Sequence, residues 1–183
     1  MNTRLPVNEA MTNKESRPIR LLALDVDGVL TDGKLLFTPE GEELKRFCTL
    51  DGQGIRHLQR AGIAVAIVTG RRAAATERRA KDLDIVLLLQ GRVDKHQALL
   101  EICEEQQIDI SEVAYVGDDL PDLSAIQACG FGVAVANAHA FVRQHADYVT
   151  IAHGGEGAVR EVCDLLLERM GLLDSVQQSY LLT

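Results

Sequence analysis

Apolar runs of strand length recur along the chain, and each stops at a polar or glycine-rich break: 19–24, 63–68, 85–89, 113–116, 131–135 and a short one at 148–151. Runs with no polar alternation suit strands buried on both faces of a parallel sheet. The intervals between them carry the helical period. In 94–107 the apolar positions Ala98, Leu99, Ile102 and Cys103 fall on one stripe. Helices are likewise expected over about 51–61, closed by Gly62, and over 72–83. Further helices are expected at 121–129, 138–145 and 154–170, with Pro121 in a first turn and Ser111 capping the short turn ahead of 113. Strands alternating with helices predict an α/β fold with a doubly wound, mostly parallel sheet.

One stretch breaks the alternation. Residues 34–37 and 43–49 read as two short strands around Pro39-Glu40-Gly41, a β-hairpin at 34–49. It is mostly polar and amphipathic, so it is expected to project from the core after the turn at Thr31-Asp32-Gly33. The predicted organisation is a lead-in at 1–18, a single domain at 19–170 and a tail of mixed character at 171–183.

The first strand carries the sharpest chemical signal. Leu21-Leu22-Ala23-Leu24 runs straight into Asp25-Val26-Asp27-Gly28. Two carboxylates at the end of a buried strand are costly unless partnered, and a divalent cation would partner them. Three other strand ends carry Thr69-Gly70-Arg71, Gly91 to Lys95, and Gly117-Asp118-Asp119 with Asp122. Taken singly, these could be a turn, a solvated helix start and a helix cap. Parallel topology brings all four ends to one edge, where ligands bind such sheets. Carboxylates, a hydroxyl and an ammonium meeting there suit phosphoryl transfer. An Asp can act as nucleophile, a second Asp can move the proton, and Mg²⁺ takes oxygen ligands.

Charge and cysteines narrow the class. The 183-residue chain has a net charge of -8, so a duplex nucleic-acid binder, which needs a basic face, is disfavoured. Cys48, Cys103, Cys129 and Cys163 are widely spaced, which reads as reduced core thiols of a cytoplasmic protein. The polar stretch 1–17 lacks the apolar core of a signal peptide, and no apolar run is long enough to cross a membrane.

The ordered set Asp25-Val26-Asp27-Gly28-Val29-Leu30-Thr31, Thr69-Gly70-Arg71, Lys95 and Gly117-Asp118-Asp119-x-x-Asp122 resembles the four motifs of haloacid dehalogenase superfamily phosphatases. The segments Gly41-Glu42-Glu43-Leu44-Lys45, Asp51-Gly52-x-Gly54-Ile55-Arg56, Gln90-Gly91 and Gly154-Gly155-x-Gly157 resemble the 3-deoxy-D-manno-octulosonate 8-phosphate phosphatase family. That resemblance implies hydrolysis of a sugar acid phosphate through an aspartyl-phosphate, in lipopolysaccharide precursor synthesis. By the resemblance, Asp25 is the nucleophile and Asp27 the general acid/base, and Thr69 and Lys95 hold the phosphoryl group. Asp25, the Asp27 carbonyl and Asp118 bind Mg²⁺. Asp119 and Asp122 orient Lys95 or metal-bound waters, while Gly28 and Gly70 support the phosphate site. Substrate contacts map onto Asp27, Thr49, Asp51, Gly52, Arg56, Arg71, Arg79 and Lys95. The spans 27–69 and 69–118 are filled by core elements and the hairpin, so no cap domain is expected. The resemblance implies a homotetramer whose neighbouring subunits close the site, with the tail reaching a neighbour.

Three other readings compete with this one. A phosphorylation-switch receiver domain also gathers Asp, Thr and Lys at strand ends, but there the phosphorylated Asp lies on a later strand. A silent scaffold conflicts with intact Asp25, Asp27, Lys95 and Asp118. A phosphatase for a nonulosonate 9-phosphate fits the same motifs.

Overall fold

The computed structural model describes residues 17–181. The expected lead-in therefore lies outside the described residues except for Arg17 and Pro18. Six parallel strands form the sheet: β1 (Leu21–Leu24), β4 (Ala64–Thr69), β5 (Leu87–Gln90), β6 (Val113–Gly117), β7 (Phe131–Ala134) and β8 (Tyr148–Val149). Their order is β5-β4-β1-β6-β7-β8, with every pairing parallel. The four residues of β1 are fully buried, as a central strand covered on both faces requires.

The helices are α1 (Thr49–Arg60), α2 (Ala74–Asp82), α3 (Lys95–Gln106), α4 (Leu123–Ala128), α5 (Ala140–His145), α6 (Ala158–Arg169) and α7 (Leu173–Ser179). Strand order runs outward from β1 to β4 and β5, then reverses across β1 to β6, β7 and β8. Right-handed crossovers put α1 and α2 on one face and α3, α4 and α5 on the other. α6 returns to the first face against α1. Gly54 permits that close approach, since a Cβ there would lie 2.9 Å from Arg160 Cδ and 3.1 Å from Cys163 Cβ.

The hairpin consists of β2 (Leu36–Phe37) and β3 (Glu43–Leu44), paired antiparallel. Its second arm is shorter than expected. Cys48 is extended, and Thr49 already begins α1, with Asp51 favoured in the first helical turn. The short turn before β6 is capped by Asp109, whose carboxylate accepts from the Ser111 N–H at 2.9 Å, rather than by Ser111. The tail contains a helix where none was foreseen. Tyr180 follows it, and its hydroxyl lies 2.7 Å from Gln53 Nε2 and 2.9 Å from His57 Nε2, both on α1. No disulfide joins any of the four cysteines, and Cys103, Cys129 and Cys163 are buried.

Candidate active site

The paired strand ends are level. Leu24 lies opposite Ile67 and Val116, Thr69 opposite Gln90, and Gly117 opposite Ala134. The residues that follow these ends therefore meet at one edge, where the strand order reverses.

Asp25 leaves β1 with its N–H donating to the Val116 carbonyl at 3.1 Å. The chain then turns tightly through Val26–Leu30. Gly28 sits at φ 91°, where an L side chain is strained. A Cβ there would also lie 2.1 Å from Asp118 Oδ2, so glycine is required for the Asp118 carboxylate to approach the turn. The buried Thr31 hydroxyl donates to the Val26 carbonyl at 3.3 Å and accepts from the Gly33 N–H, also at 3.3 Å. From the far side of the fold, the Gly155 N–H donates to the Val29 carbonyl at 2.8 Å. Gly154 lies so close that a Cβ would overlap the Gly28 carbonyl.

Lys95, at the first position of α3, is buried and reaches across the edge. Its Nζ lies 2.8 Å from Asp25 Oδ2 and 2.5 Å from Asp122 Oδ1. Asp122 is saturated. Oδ1 also accepts from the Tyr115 hydroxyl at 2.7 Å, and Oδ2 accepts the N–H groups of Asp118 and Asp119 at 3.0 and 3.1 Å. Asp122 therefore fixes both Lys95 and the loop carrying Asp118.

Asp25, Asp118 and Asp122 each present a carboxylate oxygen within 4.8 Å of the others. One lysine does not balance three clustered carboxylates. Burial, reinforced by Asp122, outweighs Lys95 and raises the Asp25 carboxyl to about 6. Burial, with Asp122 and Asp25 adding, raises Asp118 to about 7. Burial alone would push the Lys95 ammonium down, but Asp25 and Asp122 outweigh it and raise it. An oxygen-ligated divalent cation fits this set, because it would supply the missing positive charge to two carboxylates not saturated by donors, Asp25 and Asp118.

Asp27 does not join the cluster by its carboxylate. Oδ1 pairs with Lys45 of the hairpin, and Oδ2 is buried with no hydrogen bond and lies 3.8 Å from Arg71 Nε. Thr69 is buried, its hydroxyl oxygen accepting the Arg71 N–H at 3.3 Å. Gly70 lies exposed beside it.

The expected substrate residues divide. Arg71 stands at the site. Thr49 is exposed at the start of α1. Arg79 turns onto that start, donating to the Cys48 carbonyl at 2.9 Å with its guanidinium 5.5 Å from the Phe47 ring. Gly52 makes room for it, since a Cβ would lie 2.5 Å from Arg79 NH2. Two are not brought to the site in the single chain. Asp51 is 1% exposed and accepts the Arg160 N–H at 2.9 Å, capping α6. Arg56 bonds the Asp82 carbonyl and, at 3.2 Å, Asp84, near the opposite edge of the sheet. Position in a motif does not reveal which way a helical side chain turns.

Sequence reasoning did not single out Tyr115, Glu43 or Lys45 as site residues. Tyr115 hides in an apolar strand. Glu43 and Lys45 had a readable signal, because residues two apart in an extended arm share one face.

A six-stranded parallel sheet with Asp25, Thr69, Lys95 and Asp118 at its carboxyl edge defines an aspartate-centred phosphatase of the haloacid dehalogenase class, and among the described residues there is no cap domain. A model of haloacid dehalogenase-like hydrolases matches residues 84–162. A 3-deoxy-D-manno-octulosonate 8-phosphate phosphatase of Salmonella typhi is 50% identical over 167 residues, which span 91% of this chain and 88% of that protein. The chain belongs to that phosphatase family. Its structure is similar to that of the Moraxella catarrhalis enzyme of this name, solved with magnesium, phosphate and the sugar acid. The TM-score is 0.87 at 44% identity, covering 88% of this chain and 93% of that one. It is also similar to a probable phosphatase of Pseudomonas syringae, with TM-score 0.88 at 53% identity over 89% and 93% of the two chains.

Proposed function

We propose that this chain is a Mg²⁺-dependent phosphoric monoester hydrolase that converts 3-deoxy-D-manno-octulosonate 8-phosphate to the free sugar acid and phosphate, in lipopolysaccharide precursor synthesis. The observation that carries the reading is the joint placement of Asp25, Lys95, Asp118 and Asp122 at one edge, in a chain half identical to phosphatases of that name.

Asp25 is the nucleophile. Lys95 aims its carboxylate and, with Thr69, offsets charge on the phosphoryl oxygens as the phosphorus–oxygen bond opens. Asp27 gives its proton to the leaving C8 oxygen, leaving an aspartyl-phosphate on Asp25 and releasing the sugar acid. Asp27, now a carboxylate, takes a proton from the water that cleaves the acyl phosphate. Asp25, Asp118 and the Asp27 main-chain carbonyl would hold Mg²⁺, which supplies charge neutralisation on the phosphoryl oxygens. Asp122 and Asp119 keep Lys95 and the Asp118 loop in place, and the backbone at Gly28 and Gly70 lines the phosphate. Arg71, with Arg79 and Thr49 at the start of α1, faces the sugar acid and its carboxylate.

The chain works as a homotetramer in the cytoplasm. Support comes from the hairpin, where Leu35, Leu36, Phe37 and Leu44 are 44–58% exposed, an apolar surface that a partner would cover. No helix among the described residues is long and apolar enough to cross a membrane.

Phosphate release from a panel of sugar phosphates, with Mg²⁺ and with EDTA, tests the reading. The octulosonate 8-phosphate should give the highest kcat/KM, and EDTA should abolish it. A preference for a nonulosonate 9-phosphate, or release unaffected by EDTA, would overturn it.

A further inference from the structure

The hairpin does more than project. Lys45 is among its few interior side chains, 2% exposed, and its ammonium sits between Asp27 Oδ1 and Glu43 Oε1, the latter at 2.7 Å. The other oxygen of Glu43 takes Arg71 NH2 at 2.6 Å, and Arg71 Nε lies 3.8 Å from Asp27 Oδ2. Four ionisable side chains thus form a closed ring, Asp27–Lys45–Glu43–Arg71. Two members come from β3 and the residue after it, one from the turn after β1 and one from the turn after β4. Hydrogen bonds from Arg71 and Lys45 hold the Glu43 carboxyl below its usual range, so Glu43 stays ionised between the two cations.

The ring also links hairpin side chains to Asp27, two residues beyond Asp25. The strands of the hairpin are two residues each, too short to place a side chain by sheet pairing alone. Lys45 is nonetheless buried, which a flexible ammonium tolerates only when its carboxylate partners are fixed. The ring places Asp27, and Asp27 in turn seats the hairpin.

We propose that Lys45 and Glu43 are positioning residues for the general acid: the hairpin, through this ring, sets the direction of the Asp27 carboxylate during transfer of its proton to the leaving alcohol. This rests on the reading of Asp27 as the general acid, and it adds that the acid's placement depends on the hairpin of the same chain. Lys45 acts through Asp27 and touches neither phosphorus nor metal ligand oxygens of Asp25 or Asp118.

Leaving-group dependence of kcat/KM tests it, because that parameter reports steps only through release of the alcohol. An alkyl phosphate needs the proton. p-Nitrophenyl phosphate, whose leaving group departs as a stable anion, does not. Lys45→Met should lower kcat/KM for the sugar acid phosphate and for glycerol phosphate by about 10²-fold, the scale of general acid assistance. For p-nitrophenyl phosphate the loss should stay below about threefold. Lys45→Arg should recover part of the alkyl activity, and Glu43→Gln should show the same selectivity more weakly. If Lys45→Met does not fold, Glu43→Gln and Lys45→Arg carry the comparison. Equal losses on aryl and alkyl substrates, or no loss on either, would overturn the proposal. If the wild type ignores sugar acid phosphates, the substrate reading fails, while the aryl–alkyl comparison still decides the role of Lys45.

Discussion

Two regions of this molecule carry charge in opposite ways. At the sheet edge, Asp25, Lys95, Asp118 and Asp122 are tied to the ends of buried strands and to backbone N–H groups. In the hairpin, Glu43 and Lys45 hang from two-residue strands flanked by exposed Leu36, Phe37 and Leu44. The first region is built by the core, and its side chains stay in place because the sheet does. The second has no core of its own. Its charged side chains are held by one another, and its apolar face is exposed in the single chain. The division suits the proposed chemistry, in which a nucleophile and metal ligands need fixed geometry while a general acid must engage a substrate that enters and leaves.

The comparison breaks most sharply at Asp25. Asp25→Asn should lower turnover by about 10⁴-fold or more, with the fold kept. Near-normal phosphate release by the variant would remove the nucleophile assignment. Next comes Asp122, whose loss leaves a buried lysine short of a partner and three donors unanswered. Asp122→Ala should cost about 3 kcal/mol in urea unfolding. A cost under about 1 kcal/mol would show that the edge does not depend on it.

Metal and pH form the third probe. The Asp25 and Asp118 carboxyls stand at about 6 and about 7 in the folded chain, above their ordinary value of 3.8. A raised carboxyl pKa means that the folded state holds protons more tightly than the unfolded one. That contribution is complete below the ordinary value and is lost as pH rises through about 6 and 7. Metal-free protein should therefore lose thermal stability from pH 5 to pH 8. Saturating Mg²⁺, which competes with those protons, should add about 2–3 kcal/mol at pH 8 and far less at pH 5. An increment independent of pH would count against these carboxylates as the metal site.

Smaller effects belong to the periphery. Tyr180→Phe removes the hydroxyl that joins the end of α7 to Gln53 and His57. It should cost about 1 kcal/mol and speed proteolysis after α6, and unchanged cleavage would show that the helix is held by packing alone. Phe37→Asp should change the stability of the single chain by less than about 0.5 kcal/mol. Sedimentation should nevertheless show a smaller assembly, and an unaltered tetramer would place the subunit contacts elsewhere.

The sheet was legible because its strands are unbroken apolar runs, and burial on both faces leaves no other pattern. The edge cluster was legible too, since parallel strands must deliver Asp25, Thr69, Lys95 and Asp118 to the same side. Element ends were less readable: Thr49 entered α1 instead of β3, and the tail proved helical at Leu173–Ser179. Short strands and terminal helices depend on contacts distant in sequence, which local pattern does not contain.

What the sequence by itself determined is the set of candidate groups, their order along the chain and the edge where they gather, because strand polarity and alternation follow from hydrophobic pattern. Only the tertiary structure decided which oxygens remain for a cation, since saturation of Asp122 by Lys95, Tyr115 and two N–H groups is a matter of three-dimensional reach. It also turned Arg56 and Asp51 away from the edge and Lys45 toward Asp27. A side chain's direction is set by whichever partner can answer its charge at the least loss of hydration, and those partners lie far away along the chain.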